Sequence, residues 1–137
     1  MNNLYEYIDP IASPYEAFLS DSTHDLLPIP AHWHYYVELL YVRKGEIEVS
    51  LDNVVSTCTK GAVILFPPKC VHSIALARGS SPVQYDVIKF DPNLLPSCKT
   101  DEIDLRAMLH GIHAYRCSCI FCLLYTSPSP RDAHESR

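Results

Sequence analysis

Positive charge is scarce in this sequence: 11 Lys and Arg stand against 16 Asp and Glu in 137 residues, a formal net charge of -5. Gripping nucleic acid takes clustered Lys and Arg that release counterions from phosphates, so this segment is not expected to bind DNA by itself. Long apolar runs are missing as well. None approaches the roughly 20 residues that a membrane-spanning helix needs, so no membrane role is expected. The opening Met1, Asn2, Asn3, Leu4, Tyr5 has neither the basic start nor the apolar core of a secretory leader. Without a leader, the six cysteines do not read as a disulfide framework, and a reducing cytoplasm is the expected location. Cys117, Cys119 and Cys122 crowd together but lack a second ligand pair, and so fail the usual zinc pattern.

What is present suits one ordinary globular domain. Apolar residues make up 47% and charged residues 20%, and 137 residues suffice for one core but not two. Residues 1–30 carry aromatics and prolines without a sustained period, and are expected to form an N-terminal arm with a short strand at 4–8. From Val37 to Phe90 the pattern changes to short runs of Val, Ile, Leu and Tyr, broken by Gly45, Asp52-Asn53, Lys60-Gly61, Pro67-Pro68 and the stretch 79–82. Six strands are expected there. Glu46, Ile47, Glu48, Val49, Ser50, Leu51 alternates polar with apolar, as a strand with one wet face does, and Asp52-Asn53 then makes a tight hairpin turn. Closely spaced antiparallel strands imply a barrel or sandwich at 31–96.

A helix should follow at 101–115, because Ile103, Leu105, Met108, Leu109 and Ile112 recur at close to helical spacing, with Thr100 or Asp101 able to cap its start. Its apolar stripe needs a cover, either the barrel wall or the same helix of a second subunit.

The residues that carry chemistry lie at the start of the barrel. His32, His34 and Glu38 share even parity in a stretch that reads as strand, so they are expected to point the same way. His72 follows the apolar run 62–66 and the Pro67-Pro68 break, where a neighbouring strand would bring it alongside. Imidazoles with one carboxylate suit a divalent metal such as Zn, Fe, Mn or Ni. The same four side chains can instead hydrogen-bond a polar ligand. Glu38 inside a barrel without metal or partner would be costly, which argues for a ligand of some kind. Trp33, Tyr35, Tyr36 and Tyr41 can stack on a sugar ring or serve as packing, with Trp33 and Tyr36 the candidates for ligand contact. Cys70 reads as a small buried hydrophobe.

The run His32, Trp33, His34, three residues, Glu38, six residues, Gly45 resembles the first motif of the cupins. Gly61, five residues, Pro67, Pro68, Lys69, two residues, His72 resembles the second, with Lys69 standing where cupins usually have glycine and Leu76 where they often have asparagine. The resemblance implies a mainly β fold, a double-stranded β-helix or jelly-roll barrel, with a metal at its mouth on His32, His34, Glu38 and His72. Glu38 to Gly45, followed by Pro67, Pro68 and Val71 to Ile74, looks more particularly like the sensor domain of AraC-type transcription regulators. That resemblance implies a small polar effector in the barrel, many such sensors needing no metal. It further implies a homodimer joined by helices starting in 97–121, and DNA binding by a C-terminal helix-turn-helix domain. The expected role is sensing and not catalysis. A stand-alone metal-dependent cupin enzyme, such as a dioxygenase, isomerase or decarboxylase, is the alternative. Finally, Cys122 to Asp132 looks like one reading frame of a sequencing-library adaptor, so 122–137 is expected to be a non-native tail on a fragment of a longer regulator.

Overall fold

A computed structural model describes residues 4–79, 81–96, 104–112 and 120–122. Its strands are β1 (Tyr15–Asp21), β2 (Ile29–His32), β3 (Val37–Lys44), β4 (Glu46–Leu51), β5 (Val54–Thr59), β6 (Ala62–Phe66), β7 (His72–Leu76), β8 (Gln84–Phe90) and β9 (Ile120–Cys122), with a short 3-10 helix at Pro92–Leu94 and, among the described residues, one α-helix, α1 (Leu105–Ile112). They form two antiparallel sheets, one ordered β1-β8-β3-β6-β9 and the other β2-β7-β4-β5. The six strands expected over 37–90 are β3 to β8.

Alternation along each strand sends one set of side chains between the sheets. Leu40 and Val42 of β3, Ile47 and Val49 of β4, Ile64 and Phe66 of β6, and Tyr85 and Val87 of β8 form one buried cluster. Asp52 and Asn53 take φ of +46° and +68° between the paired Leu51 and Val54, the left-handed pair of a two-residue hairpin. Asx side chains tolerate that region better than most, which is why this dipeptide signals the turn.

Three expectations need correction. The first 30 residues are not all arm: Tyr15–Asp21 pairs along its length with β8. It is an edge strand on which only Ser20 is buried, so its sequence carries no alternating apolar face to read. The strand expected at 4–8 is reduced to an isolated parallel bridge between Tyr5 and Trp33. The helix cap is Asp104, whose Oδ1 accepts from Ala107 N at 3.0 Å. Thr100 and Asp101 lie outside the described residues, as do 113–119, with Cys117 and Cys119, and 123–137.

Leu109 packs, as do Leu39 and Phe90, against the cluster of Val37 and Leu65 on the outer wall of the larger sheet, so α1 covers its own barrel. Leu105 and Met108 stay exposed. Downstream, Ile120–Cys122 pairs with β6 as a further strand of the larger sheet, within a stretch expected to begin a helical linker. Among the described residues no helix is long and apolar enough to cross a membrane.

Candidate metal and effector site

Two facing rungs of the barrel build the site. In the larger sheet Glu38 pairs across to Lys89 of β8 on one side and Phe66 of β6 on the other. In the smaller sheet His72 pairs with His32 of β2 and Leu51 of β4. Directly paired residues in antiparallel strands share a face, so each rung presents its side chains to the other sheet.

His34 belongs to neither rung. The even parity of His32, His34 and Glu38 suggests one continuous strand, but β2 ends at His32 in one sheet and β3 begins at Val37 in the other. His34 sits on the corner where the chain crosses between them. Its carbonyl accepts from Lys69 N at 2.8 Å, tying the corner to the loop before His72. Lys69 itself has φ +66°, the left-handed region that favours glycine. The unusual lysine of the second motif therefore occupies a position whose backbone suits glycine, and its ammonium lies 5.6 Å from the centre of the Tyr35 ring.

The ring nitrogens carry a clear assignment. Nδ1 of His32 lies 2.8 Å from Pro30 O, Nδ1 of His34 3.0 Å from Tyr36 O, and Nδ1 of His72 3.0 Å from Cys70 O. A carbonyl only accepts, so each Nδ1 holds a proton and each ring turns its Nε2 inward. Nε2 of His34 and of His72 meet the same Glu38 oxygen at 3.0 and 3.3 Å. Two imidazole nitrogens facing one carboxylate oxygen call for a cation between them, either a second proton on the ring or one divalent metal. His32, His34, Glu38 and His72 offer ligand atoms all within 4.8 Å of one another, so they fit a metal. The carbonyl behind each imidazole is the outer partner that metal-binding histidines regularly keep.

Electrostatics agree with this donor set. Burial pushes the Glu38 carboxyl up, but hydrogen bonds from His34 and His72 and the charges of His72 and Lys89 overcome it and hold the group well below the usual carboxylate range. Burial pushes the His32 imidazole down, against the opposing contact with Pro30 O, which favours its neutral form. His34, Glu38 and His72 are each 3% exposed or less.

Two further residues join the site that the motifs do not contain. Lys89, 7% exposed, places Nζ 3.1 Å from Glu6 Oε2 and 3.7 Å from Glu38 Oε2. The same Glu6 oxygen lies 3.6 Å from His32 Nε2 and 4.0 Å from His34 Nε2. Lys89 has a signal in the sequence, since it keeps the inward parity of Tyr85 and Val87. Glu6 has none, because a residue of the arm reaches the site only through the Tyr5–Trp33 bridge.

The aromatic candidates are drawn elsewhere. Trp33 lies against Tyr5, with ring centroids 4.6 Å apart, and 5.4 Å from Tyr35. Tyr36 donates to Ser13 O at 2.6 Å, and burial with nearby Asp91, Glu16 and Asp9 pushes its phenol up. Tyr36 lines a separate cleft of about 380 Å³ with Tyr5, Tyr7, Tyr35 and Asp91, outside the histidine cluster. Cys70 is buried, as expected.

Comparison with known proteins places this architecture. The cupin domain of Cnp3 from Schizosaccharomyces pombe is similar at 17% identity and a TM-score of 0.53, covering 60% of this chain and 59% of that one. A RmlC-like cupin with a double-stranded β-helix fold from Methanocaldococcus jannaschii shows 17% identity and a TM-score of 0.46, over 56% of this chain and 68% of that one. A DMSP lyase structure shows 22% identity and a TM-score of 0.41, over 47% of this chain and 32% of that one. The chain spans less than two thirds of the length of several such relatives. No curated protein matches its sequence significantly. The sequence profile of the AraC-like ligand binding domain matches residues 14–117.

Proposed function

Because the chain belongs to the AraC-like ligand-binding domain family, we propose that it senses a small polar effector and thereby controls DNA binding by a helix-turn-helix domain of the same regulator. The observation that carries this reading is the cluster of buried His34, Glu38, His72 and Lys89 with partly buried His32 at the barrel mouth, reached by an arm residue, Glu6. A domain of this family with convergent polar groups at its mouth is suited to bind and report. Occupancy would bias how the arm and α1 pack, a population shift between two arrangements. Exposed Leu105 and Met108 on α1, each 55% exposed, support association into a homodimer.

The three Nδ1–carbonyl contacts favour a divalent metal as part of the site, held by His32, His34, Glu38 and His72. Such an ion would supply a Lewis-acidic cation to grip effector oxygens. A stand-alone metal-dependent enzyme is the second reading that this donor set favours. It would be carried by turnover of a substrate by the metal-loaded chain.

Recovering the uninterrupted gene and assaying the whole regulator tests the sensing role. We expect a helix-turn-helix domain downstream, effector-dependent shifts of DNA mobility, and loss of the effector response in His34→Ala. A natural stop codon near residue 121 would defeat the proposal, as would sequence-specific DNA binding by residues 1–121 alone.

A further inference from the structure

We propose that the barrel-mouth site takes a carboxylate, and that the side chain of Glu6 holds the carboxylate position as an internal stand-in. This rests on the sensing reading of the same site and names the chemical class of its ligand.

Lys89 sets the requirement. Its buried ammonium donates to Glu6 Oε2 at 3.1 Å, whereas Glu38 Oε2, at 3.7 Å, is outside hydrogen-bond range. Glu6 is therefore the hydrogen-bond acceptor that Lys89 has among the described residues. With Glu6 withdrawn, the buried ammonium keeps the Glu38 charge at 3.7 Å but has no hydrogen-bond acceptor among the described residues, which proteins rarely tolerate. A hydroxyl would restore a hydrogen bond but not the second negative charge beside Lys89. A carboxylate restores both, in the place of the Glu6 oxygen, which lies 3.6 Å from His32 Nε2 and 4.0 Å from His34 Nε2, beyond hydrogen-bond range of either.

The backbone tie of the arm is short. Beside the Lys89 contact and the Tyr5 ring against Trp33 at 4.6 Å, Glu6 is held by its N–H on Trp33 O at 2.9 Å, next to Trp33 N–H on Leu4 O at 2.8 Å. These belong to an isolated bridge and not to a strand ladder. Glu6 keeps 40% of its side chain exposed, and the neighbouring Tyr7 is 71% exposed. A free carboxylate thus competes with a tethered one whose effective concentration is on the order of millimolar.

Trp33 is the only tryptophan, and it is bonded to the arm through both its N–H and its carbonyl, so its fluorescence reports arm release. The full 137-residue chain would be titrated with acetate, and with acetamide as the neutral isostere. We expect saturable acetate binding, at least about fivefold tighter in Glu6→Gln, which removes the competing charge but keeps the side-chain shape. Acetamide should not bind, and Lys89→Met should abolish acetate binding while circular dichroism shows the barrel folded. Equal binding of acetamide and acetate overturns the proposal, as does an affinity for acetate unchanged in Glu6→Gln, or no saturable acetate binding. Should Lys89→Met fail to fold, the Glu6→Gln comparison decides alone. Failure of the sensing reading looks different: acetate competition intact in this chain, with DNA binding by the whole regulator unaffected by any ligand of the site.

Discussion

The Phe66 ring lies stacked on the His72 imidazole, with centroids 4.3 Å apart and planes 17° from parallel. Phe66 also belongs to the main core cluster, so the hydrophobic interior directly sets the orientation of a site histidine. Stability and site geometry are therefore coupled through one side chain. Phe66→Ala should cost about 3–5 kcal/mol of stability, measured by urea unfolding, and loosen ligand binding in whatever fraction stays folded. Unchanged affinity in the folded variant would separate the two roles.

Metal binding is expected at the His32, His34, Glu38 and His72 cluster. Purified chain grown with Fe, Mn, Ni and Zn should carry one divalent ion, read by elemental analysis. His72→Ala should weaken it by more than the roughly 10–100-fold that loss of an outer partner costs. Substoichiometric metal, unaltered by His34→Ala, would rule this out.

Lys69 holds a left-handed backbone, φ +66°, at the position where the second motif favours glycine. Lys69→Gly should raise stability, since relief of that conformation is worth about 1–2 kcal/mol and the added chain entropy of glycine costs about 0.5–1 kcal/mol, less whatever the contact with Tyr35 contributes. Thermal melts decide it, and a clear loss of stability would show that the Tyr35 contact outweighs the backbone.

Gly45 is constrained in the opposite sense. With φ +78°, an added Cβ would stand 2.8 Å from Val83 Cγ2 and 2.9 Å from Pro82 O. Gly45→Ala should destabilise by about 1–3 kcal/mol, since both the backbone region and the space forbid a side chain. A neutral melt would refute the close approach.

Asp21 should titrate at about 2, below its ordinary 3.8, because it accepts from Thr23 N and Oγ1 and from Gln84 Nε2. A carboxyl depressed in the folded state adds stability that is complete above its unfolded value and lost as pH falls through the folded one. Wild type and Asp21→Asn should therefore converge in stability between pH 4 and 2, by urea unfolding. Carbon NMR of the carboxyl placing it near 3.8 would contradict this.

Much of the barrel is legible because its cause is local. The alternation in Glu46–Leu51 and the Asp52-Asn53 turn specify a hairpin through side-chain period and backbone tolerance alone. The edge strand Tyr15–Asp21 is illegible for the same reason: an edge strand buries little, so its composition is free of the pattern that marks a strand. The parity of His32, His34 and Glu38 leads to the right cluster by an incomplete route, since a corner, and not a continuous strand, brings His34 in.

The sequence by itself determined the fold family, the four donor residues and the hairpin, because short-range periodicity and motif spacing encode them. Only the tertiary structure decided what surrounds those donors. Cross-strand register sets Lys89 beside Glu38, an isolated bridge carries Glu6 over the mouth, and backbone carbonyls fix which nitrogen of each imidazole faces inward. Those are contacts between residues up to 83 positions apart, and no local pattern in the chain records them.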